Sequence, residues 1–453
     1  MQLIATDNKQ VVIGLGVTGL SCARYLAANN RSFSVVDSRD NPPGLAAFKT
    51  EFPDITLTLG EITEASLADA AELVVSPGVA IDEPAIIKAV EKGAQICGDI
   101  DLFCQAVDVP VIAITGSNGK STVTTLVGEM ISRSGKKVAV GGNIGTPALD
   151  LLAQESPDIY VLELSSFQLE RSENLSVDVA TVLNVSADHM DRYKNLLEYH
   201  QAKHRIFRGC KKVVINRTDP LSRPLLAEKV EVFTFGLNDS DINGFGLLND
   251  GEVESLAYQF KPLMAVSELK LVGRHNIENA LAAMALCRAV GVELEPMLDV
   301  LREFCGLQHR CQYAGEYQGV RFYNDSKGTN VGAAIASING LKDSANNIIL
   351  IAGGDAKAAD FTPLLPVLKN LVSTMVVIGN AAKTLSDLFS ETLNVVMAQS
   401  MEEAVASAAA IASDGDVVLL SPACASFDMF DNYQHRGEVF VAAVQRLVTE
   451  GAS

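Results

Sequence analysis

Val109-Pro110-Val111-Ile112-Ala113-Ile114-Thr115-Gly116-Ser117-Asn118-Gly119-Lys120-Ser121-Thr122 is an apolar run that breaks into a glycine-punctuated loop. The run predicts a buried strand, and the residues beyond it predict a helix from Thr122 to Ser134. A strand, a Gly-rich loop and a helix make a phosphate cradle, because backbone N–H groups and a helix N-terminus face the anion. Lys120 would balance the charge of the β- and γ-phosphates, and the Ser121 or Thr122 hydroxyl can ligate Mg²⁺. The general GxxxxGK pattern needs glycine where this chain has Ile114, so the loop is a shortened form that starts at Gly116. A chance turn is the bland alternative, and the strand and helix on either side argue against it.

Working outward, the same alternation continues on both sides. Ahead of the loop, apolar runs at Val11–Leu15, Phe33–Asp37, Ile55–Leu59, Glu72–Ser76 and Gln95–Cys97 alternate with helical stretches. Behind it come runs at Lys137–Val140, Ile159–Leu164 and Val179–Asn184, a helix at Leu196–Arg208, and a run at Lys212–Asn216. Residues 232–272 are richer in turns and short β-like runs, and a helix follows over Asn276–Val290. A third series begins near Leu307, with a hairpin around Gln318-Gly319 and runs at Asn347–Ala352, Thr374–Ile378 and Asp416–Leu420. Strand–helix alternation means parallel sheets covered on both faces. The expected class is α/β in three domains, at 1–98, 99–305 and 306–453.

The 453 residues carry a net charge of −19, and no basic run breaks it. An acidic chain repels a phosphate backbone, so nucleic acid is not an expected partner. No apolar stretch approaches the ~20 residues of a membrane span. Met1–Gln10 is polar and lacks the layout of a signal peptide. The eight cysteines form no CxxC, and most sit in apolar context, which reads as reduced thiols. These features together point to the cytoplasm.

Several strand ends carry polar groups. Gly14-Leu15-Gly16-Val17-Thr18-Gly19 follows a strand and opens a helix, with Asp37 ending the next strand where a ribose-binding acid would sit. A dinucleotide, another nucleotide diphosphate, or a structural turn all satisfy that pattern. Glu163 ends an apolar strand and could serve a metal, or could simply face solvent. Asp188-His189-Met190-Asp191 follows a strand, although imidazole is unusual for Mg²⁺. Lys203 lies beside His204 and Arg205, and its plain reading is a solvated basic face. Gly353-Gly354-Asp355-Ala356-Lys357 and Ser421-Pro422-Ala423-Cys424-Ala425-Ser426 lie just past strand C-termini, where open α/β sheets bind ligands.

In their order, these segments resemble the Mur ligase family of peptidoglycan synthesis. The likeness runs through GLGVTG, Ser76-Pro77-Gly78, TGSNGKST, Gly142-Asn143-Ile144-Gly145, LELSSFQLE and DHMDRY. It continues through Ala202-Lys203, GRHNIEN at 273–279, Gln308-His309-Arg310, Asn324-Asp325-Ser326-Lys327, GGDAK and SPACASFD. The short phosphate loop is the family's own form. The resemblance implies a Rossmann-like N-terminal domain for a UDP substrate, a P-loop-type central ATPase domain, and a Rossmann-like C-terminal domain for an amino acid. The implied reaction is ATP-dependent addition of D-glutamate to UDP-N-acetylmuramoyl-L-alanine through an acyl phosphate, by a monomer.

Carried over by motif, Lys120, Glu163, His189, Lys203 and Lys327 would be catalytic. ATP would meet Gly116, Ser117, Asn118, Gly119, Lys120, Ser121, Thr122, Asn279, Arg310 and Asp325. Two Mg²⁺ ions would be held by Ser121, Glu163, His189 and a carbamylated Lys203. The UDP substrate would meet Val17, Thr18, Ser38, Arg39, Ser76, Gly78 and Asn143. D-Glutamate would meet Thr329, Lys357, Ser426, Phe427 and Tyr433. Ser117, Gly328 and Cys311 depart from the family's commoner Thr, Ala and Phe; Cys311 removes an aromatic surface near the expected adenine. Another ligase of the superfamily, a nicotinamide-dependent oxidoreductase and a non-catalytic ATP switch are the competing readings. The oxidoreductase leaves Lys120, Glu163 and GGDAK unexplained.

Overall fold

The computed structural model describes residues 9–226, 229–271, 273–342 and 345–451. Most of the polar N-terminal stretch, and Val272 at the end of the turn-rich region, lie outside them.

Short apolar runs between glycine turns have become parallel strands. The first sheet holds β1 (Gln10–Ile13), β2 (Phe33–Asp37), β3 (Leu57–Leu59), β4 (Glu72–Val75) and β5 (Gln95–Cys97), ordered 3-2-1-4-5. All its pairings are parallel. The second sheet holds β6 (Val111–Thr115), β7 (Val138–Gly142), β8 (Ile159–Glu163), β9 (Val179–Val182), β10 (Lys212–Asn216), β11 (Glu231–Asp239), β12 (Gly244–Asn249), β13 (Glu254–Tyr258) and β14 (Lys261–Ala265). Its order is 14-13-12-11-10-9-6-8-7; the turn-rich stretch continues the parallel sheet through β11 and β12 and ends in the antiparallel pairings of β12 with β13 and β13 with β14.

The third sheet holds β15 (Gln312–Tyr317), β16 (Val320–Asn324), β17 (Ile348–Gly353), β18 (Val372–Ile378), β19 (Asn394–Met397) and β20 (Val417–Leu420), ordered 15-16-20-17-18-19. Only β15 runs antiparallel, through the hairpin expected around Gln318-Gly319. Strand β19 has no run of buried residues, because it is an edge strand with half-exposed side chains.

The helix after the phosphate loop spans Lys120–Arg133, two residues earlier than expected, because Gly119 takes a left-handed conformation and caps it. The helix Arg274–Ala289 is buried from Asn279 to Cys287. It is sandwiched between the second sheet and the helices Lys120–Arg133 and Leu294–Glu303. Each Leu or Met buried there contributes roughly 1.5–3 kcal/mol. That packing fixes the base of the phosphate loop. The helix Leu196–His204 ends four residues earlier than expected and passes into a 3₁₀ turn, Arg205–Phe207. No helix among the described residues is long and apolar enough to cross a membrane.

Candidate active site

Parallel strands send their C-terminal ends to one edge of a sheet, where ligands bind. In the second sheet β6, β8 and β9 lie side by side. Their ends deliver Gly116, Glu163 and the segment 184–189 to one place. Strand β6 is buried at every residue. The Thr115 hydroxyl donates to the Leu164 carbonyl at 2.7 Å, locking the loop to the end of β8. The Ser117 hydroxyl donates to the Ser186 carbonyl at 2.9 Å, and the Asn118 N–H donates to Asn184 Oδ1 at 2.9 Å. Lys120 folds back and donates to the Gly116 carbonyl at 2.7 Å and the Ser117 carbonyl at 3.0 Å.

Glu163 is 2% exposed. Its Oε1 accepts from Asn143 Nδ2 at 2.9 Å, while Oε2 is buried with no protein partner. Lys203 is not on a solvated face. It is 1% exposed, donates to the Gly116 carbonyl at 2.8 Å, and lies 4.5 Å from the centre of the Tyr199 ring. Burial, with Lys120 beside it, pushes its ammonium well below the ordinary lysine range. Burial also lowers the Lys120 and His189 values. His189 has a left-handed backbone, with φ 57, and its ring stands edge-on to Phe167 at 4.9 Å. Asp188 lies 3.7 Å from that imidazole. Burial alone would raise the Asp188 carboxyl, but Lys357 and His189 hold it below its ordinary value.

The third sheet closes the cavity. Arg310 donates to the Ser121 hydroxyl at 2.9 Å. Asn330 donates to Asn118 Oδ1 at 3.2 Å and to Asp188 Oδ2 at 3.0 Å. Lys357 meets Asp188 Oδ1 at 2.9 Å. Lys327 sits 3.8 Å from the centre of the Tyr433 ring, and burial, with Arg310 and Lys120 nearby, pulls it down to about 8. Asp325 accepts from the Ser337 and Ser421 hydroxyls and from the Cys311 N–H, so its carboxylate braces the loop that carries Arg310. Burial pushes Asp325 up to about 6.

The resulting cavity of about 280 Å³ is lined by residues 117–121, Asn143, Glu163, Asp188, His189, Lys203, Arg310, Lys327 and Thr329, among others. A neighbouring pocket of about 340 Å³ shares Asp188, His189 and Thr329, and adds Lys357. Ser426 is buried and Phe427 is exposed; neither lines these two cavities. Gly119 is pressed against Asn279, which is 9% exposed.

A separate cleft of about 520 Å³ opens over the first sheet, lined by Gly14, Gly16, Val17, Thr18, Ser38, Arg39, Ser76 and Gly78 among others. Asp37 is not a free ribose-binding acid. Its oxygens accept from the Leu15 N–H at 2.6 Å and the Arg39 guanidinium at 2.7 Å, so it braces the glycine turn and aims Arg39. Asn143 lies on Glu163 in the phosphate cavity and not in this cleft. Asp188 and Asn330 were given no role from sequence, yet they join two sheets across the site. Their positions just beyond β9 and ahead of the helix Val331–Leu341 are the only local signal.

A glycine-rich phosphate loop, a separate cleft over the first sheet and a third sheet closing over the loop give the layout of a three-part ligase, and the chain belongs to the Mur ligase family. Residues 8–98 match the Mur ligase MurD-like N-terminal domain, 114–287 the Mur ligase middle domain, and 309–424 the Mur ligase glutamate ligase domain. The chain is 51% identical over 448 residues to the UDP-N-acetylmuramoylalanine--D-glutamate ligase of Pseudomonas aeruginosa, covering 99% of this chain and 100% of that one. It is 52% identical over 448 residues to the protein of the same name from Pseudomonas savastanoi, again over 99% and 100%. Among solved structures it shares its fold with a pseudomurein peptide ligase type C from Methanothermus fervidus, with TM-score 0.62, 18% identity, and coverage of 97% and 100%.

Proposed function

We propose that this chain joins D-glutamate to UDP-N-acetylmuramoyl-L-alanine, using ATP, as a step in making peptidoglycan precursors. The observation that carries this reading is the single cavity that gathers the phosphate loop, a buried acid with an unpartnered oxygen, and lysines from two sheets. The full-length likeness to ligases of that name supports the choice of substrates.

The chemistry activates a carboxylate. A carboxylate oxygen of the UDP-linked substrate attacks the γ-phosphorus, the bond to ADP breaks, and an acyl phosphate forms. The D-glutamate amine, as the free base, then attacks the acyl carbon, inorganic phosphate leaves with the bonding pair, and the nitrogen gives up a proton to solvent as the amide forms. Both substrates and ATP are anionic, so neutralisation by preorganised cations is the main catalytic need. Lys120, Lys327 and Arg310 supply it on the phosphate side. Thr329 and Lys357 line the adjacent pocket, which suits the D-glutamate carboxylates. The cleft over the first sheet, residues 1–98, suits the uridine nucleotide.

The donor set fits magnesium. Mg²⁺ is commonly held by one or two protein oxygens together with substrate phosphates. The orphaned Glu163 Oε2 and the Ser121 hydroxyl fit one ion, and His189 with a modified Lys203 would complete a second. When bound, Mg²⁺ neutralises phosphate charge. Burial favours the neutral Lys203 amine, the form that adds to CO₂ with loss of a proton to give a carbamate. That change turns a buried cation into an oxygen ligand. A monomer in the cytoplasm, where ATP and UDP-linked precursors occur, completes the reading.

The test is ATP-dependent phosphate release with UDP-N-acetylmuramoyl-L-alanine and a panel of amino acids. D-Glutamate alone should support turnover. A preference for L-glutamate or a diamino acid would overturn the specificity.

A further inference from the structure

Two arginines of the middle sheet's loops converge on one carbonyl of the first domain. Arg171 and Arg192 both donate to the Val79 carbonyl, Arg192 at 3.2 Å. Val79 lines the nucleotide cleft, and its side chain packs on the glycine turn: a Cβ on Gly14 would lie 2.9 Å from Val79 Cγ2. On the other side, Arg171 donates to the Phe167 carbonyl, and the Arg192 guanidinium lies 5.5 Å from the centre of the Phe167 ring. Glu170 sits against both arginines. Phe167 lines the phosphate cavity and packs on His189. An unbroken series of contacts therefore runs from the nucleotide cleft to the phosphate cavity.

Arg171 is 1% exposed, and its Nε has no partner. Burying a guanidinium so incompletely satisfied is a poor route to stability, since apolar packing at such a position serves as well or better. What arginine provides here is reach and direction.

We infer that Arg171 and Arg192 are positioning residues that fix the nucleotide cleft relative to the phosphate cavity, so that a ligand in one is felt in the other. The identity of the two ligands rests on the function proposed above. One substrate must span both sites, and a misplacement of about 1 Å at the reacting atoms costs ~10²-fold in rate.

Arg192 is partly exposed, so it is the residue to vary. ADP is titrated calorimetrically into the full-length enzyme with and without saturating UDP, for wild type, Arg192→Ala and Arg192→Lys. In wild type UDP should change the ADP dissociation constant by at least about fivefold, and ADP should change that of UDP by the same factor. In Arg192→Ala that factor should fall to near one, with each ligand alone binding within about twofold of wild type. kcat/KM for the UDP-linked substrate should fall roughly 10–100-fold. Lysine, which can still reach the carbonyl, should restore most of both. A purely structural role would lower melting temperature and both affinities while leaving the factor intact, and that result overturns the proposal. So does a wild-type enzyme in which the two ligands ignore each other. Absence of D-glutamate-dependent turnover would instead sink the proposed function, and the UDP–ADP coupling would still decide this inference.

Discussion

At Lys327 a cation is held in a cavity with two others, Arg310 and Lys120, which together with burial bring it to about 8. A lysine whose value is lowered keeps its charge below that pH and loses it above. If the ammonium meets the γ-phosphate, kcat/KM for ATP should fall about tenfold per pH unit beyond pH 8, since that ratio reports the free enzyme. Lys327→Arg cannot lose its proton, so it should push the falling limb upward even with a lower plateau. A wild-type profile flat to pH 9 removes Lys327 from this role. Motif position marked Lys327 and Lys120 in the sequence. Read from its neighbours alone, Lys203 looks like part of a solvated basic face, because His204 and Arg205 are polar and only the tertiary fold buries it; the family resemblance is what places it in the site. The pairing of Asp188 with Asn330 was not legible for a different reason: Asp188 stood out as a polar residue past a strand, but the two bond across 142 positions, and no local pattern encodes such a pair.

At the scale of elements, the parallel strands were legible as apolar runs because both faces are covered. Residues 232–272 showed only as short β-like runs between turns, and the outermost strands β14 and β19 give no buried run because their side chains are largely exposed or half-exposed. The phosphate loop was legible down to its glycines, and the structure shows why one of them is needed. Gly119 has φ +83, and a Cβ there would lie 2.3 Å from Asn279 Oδ1. A left-handed backbone costs a side chain about 1–2 kcal/mol, and the collision must also move Asn279 or the loop. Gly119→Ala should therefore weaken ADP binding by about tenfold or more, read by calorimetry, with helical content unchanged. Gly135→Ala is the control. It has φ +86 with nothing within 4 Å of its Cβ, at the far end of the same helix. It carries the same backbone strain without the collision, and should lose stability but not ADP affinity. Equal ADP binding by Gly119→Ala and wild type would show that the loop tolerates the side chain.

Across the whole molecule, the third sheet is tied to the second around the phosphate loop by Arg310 to Ser121, Asn330 to Asp188, and Lys357 to Asp188. Only the last pairs full charges, and both side chains are largely buried, at 15% and 10% exposure. Removing one partner of a buried pair is costly, about 3–5 kcal/mol, when the other must stay dry. Here it need not: Asp188 lies at a junction between two sheets, so parting them lets water reach the carboxylate. Lys357→Met should therefore open the molecule rather than unfold it. The expected result is a larger radius of gyration by X-ray scattering, a KM for D-glutamate raised about 100-fold, and ADP affinity within about twofold of wild type, because the phosphate loop belongs to the second sheet alone. A variant with unchanged scattering and unchanged KM would mean that Arg310 and Asn330 hold the junction by themselves. Then the Lys357–Asp188 pair would be a consequence of closure and not its cause.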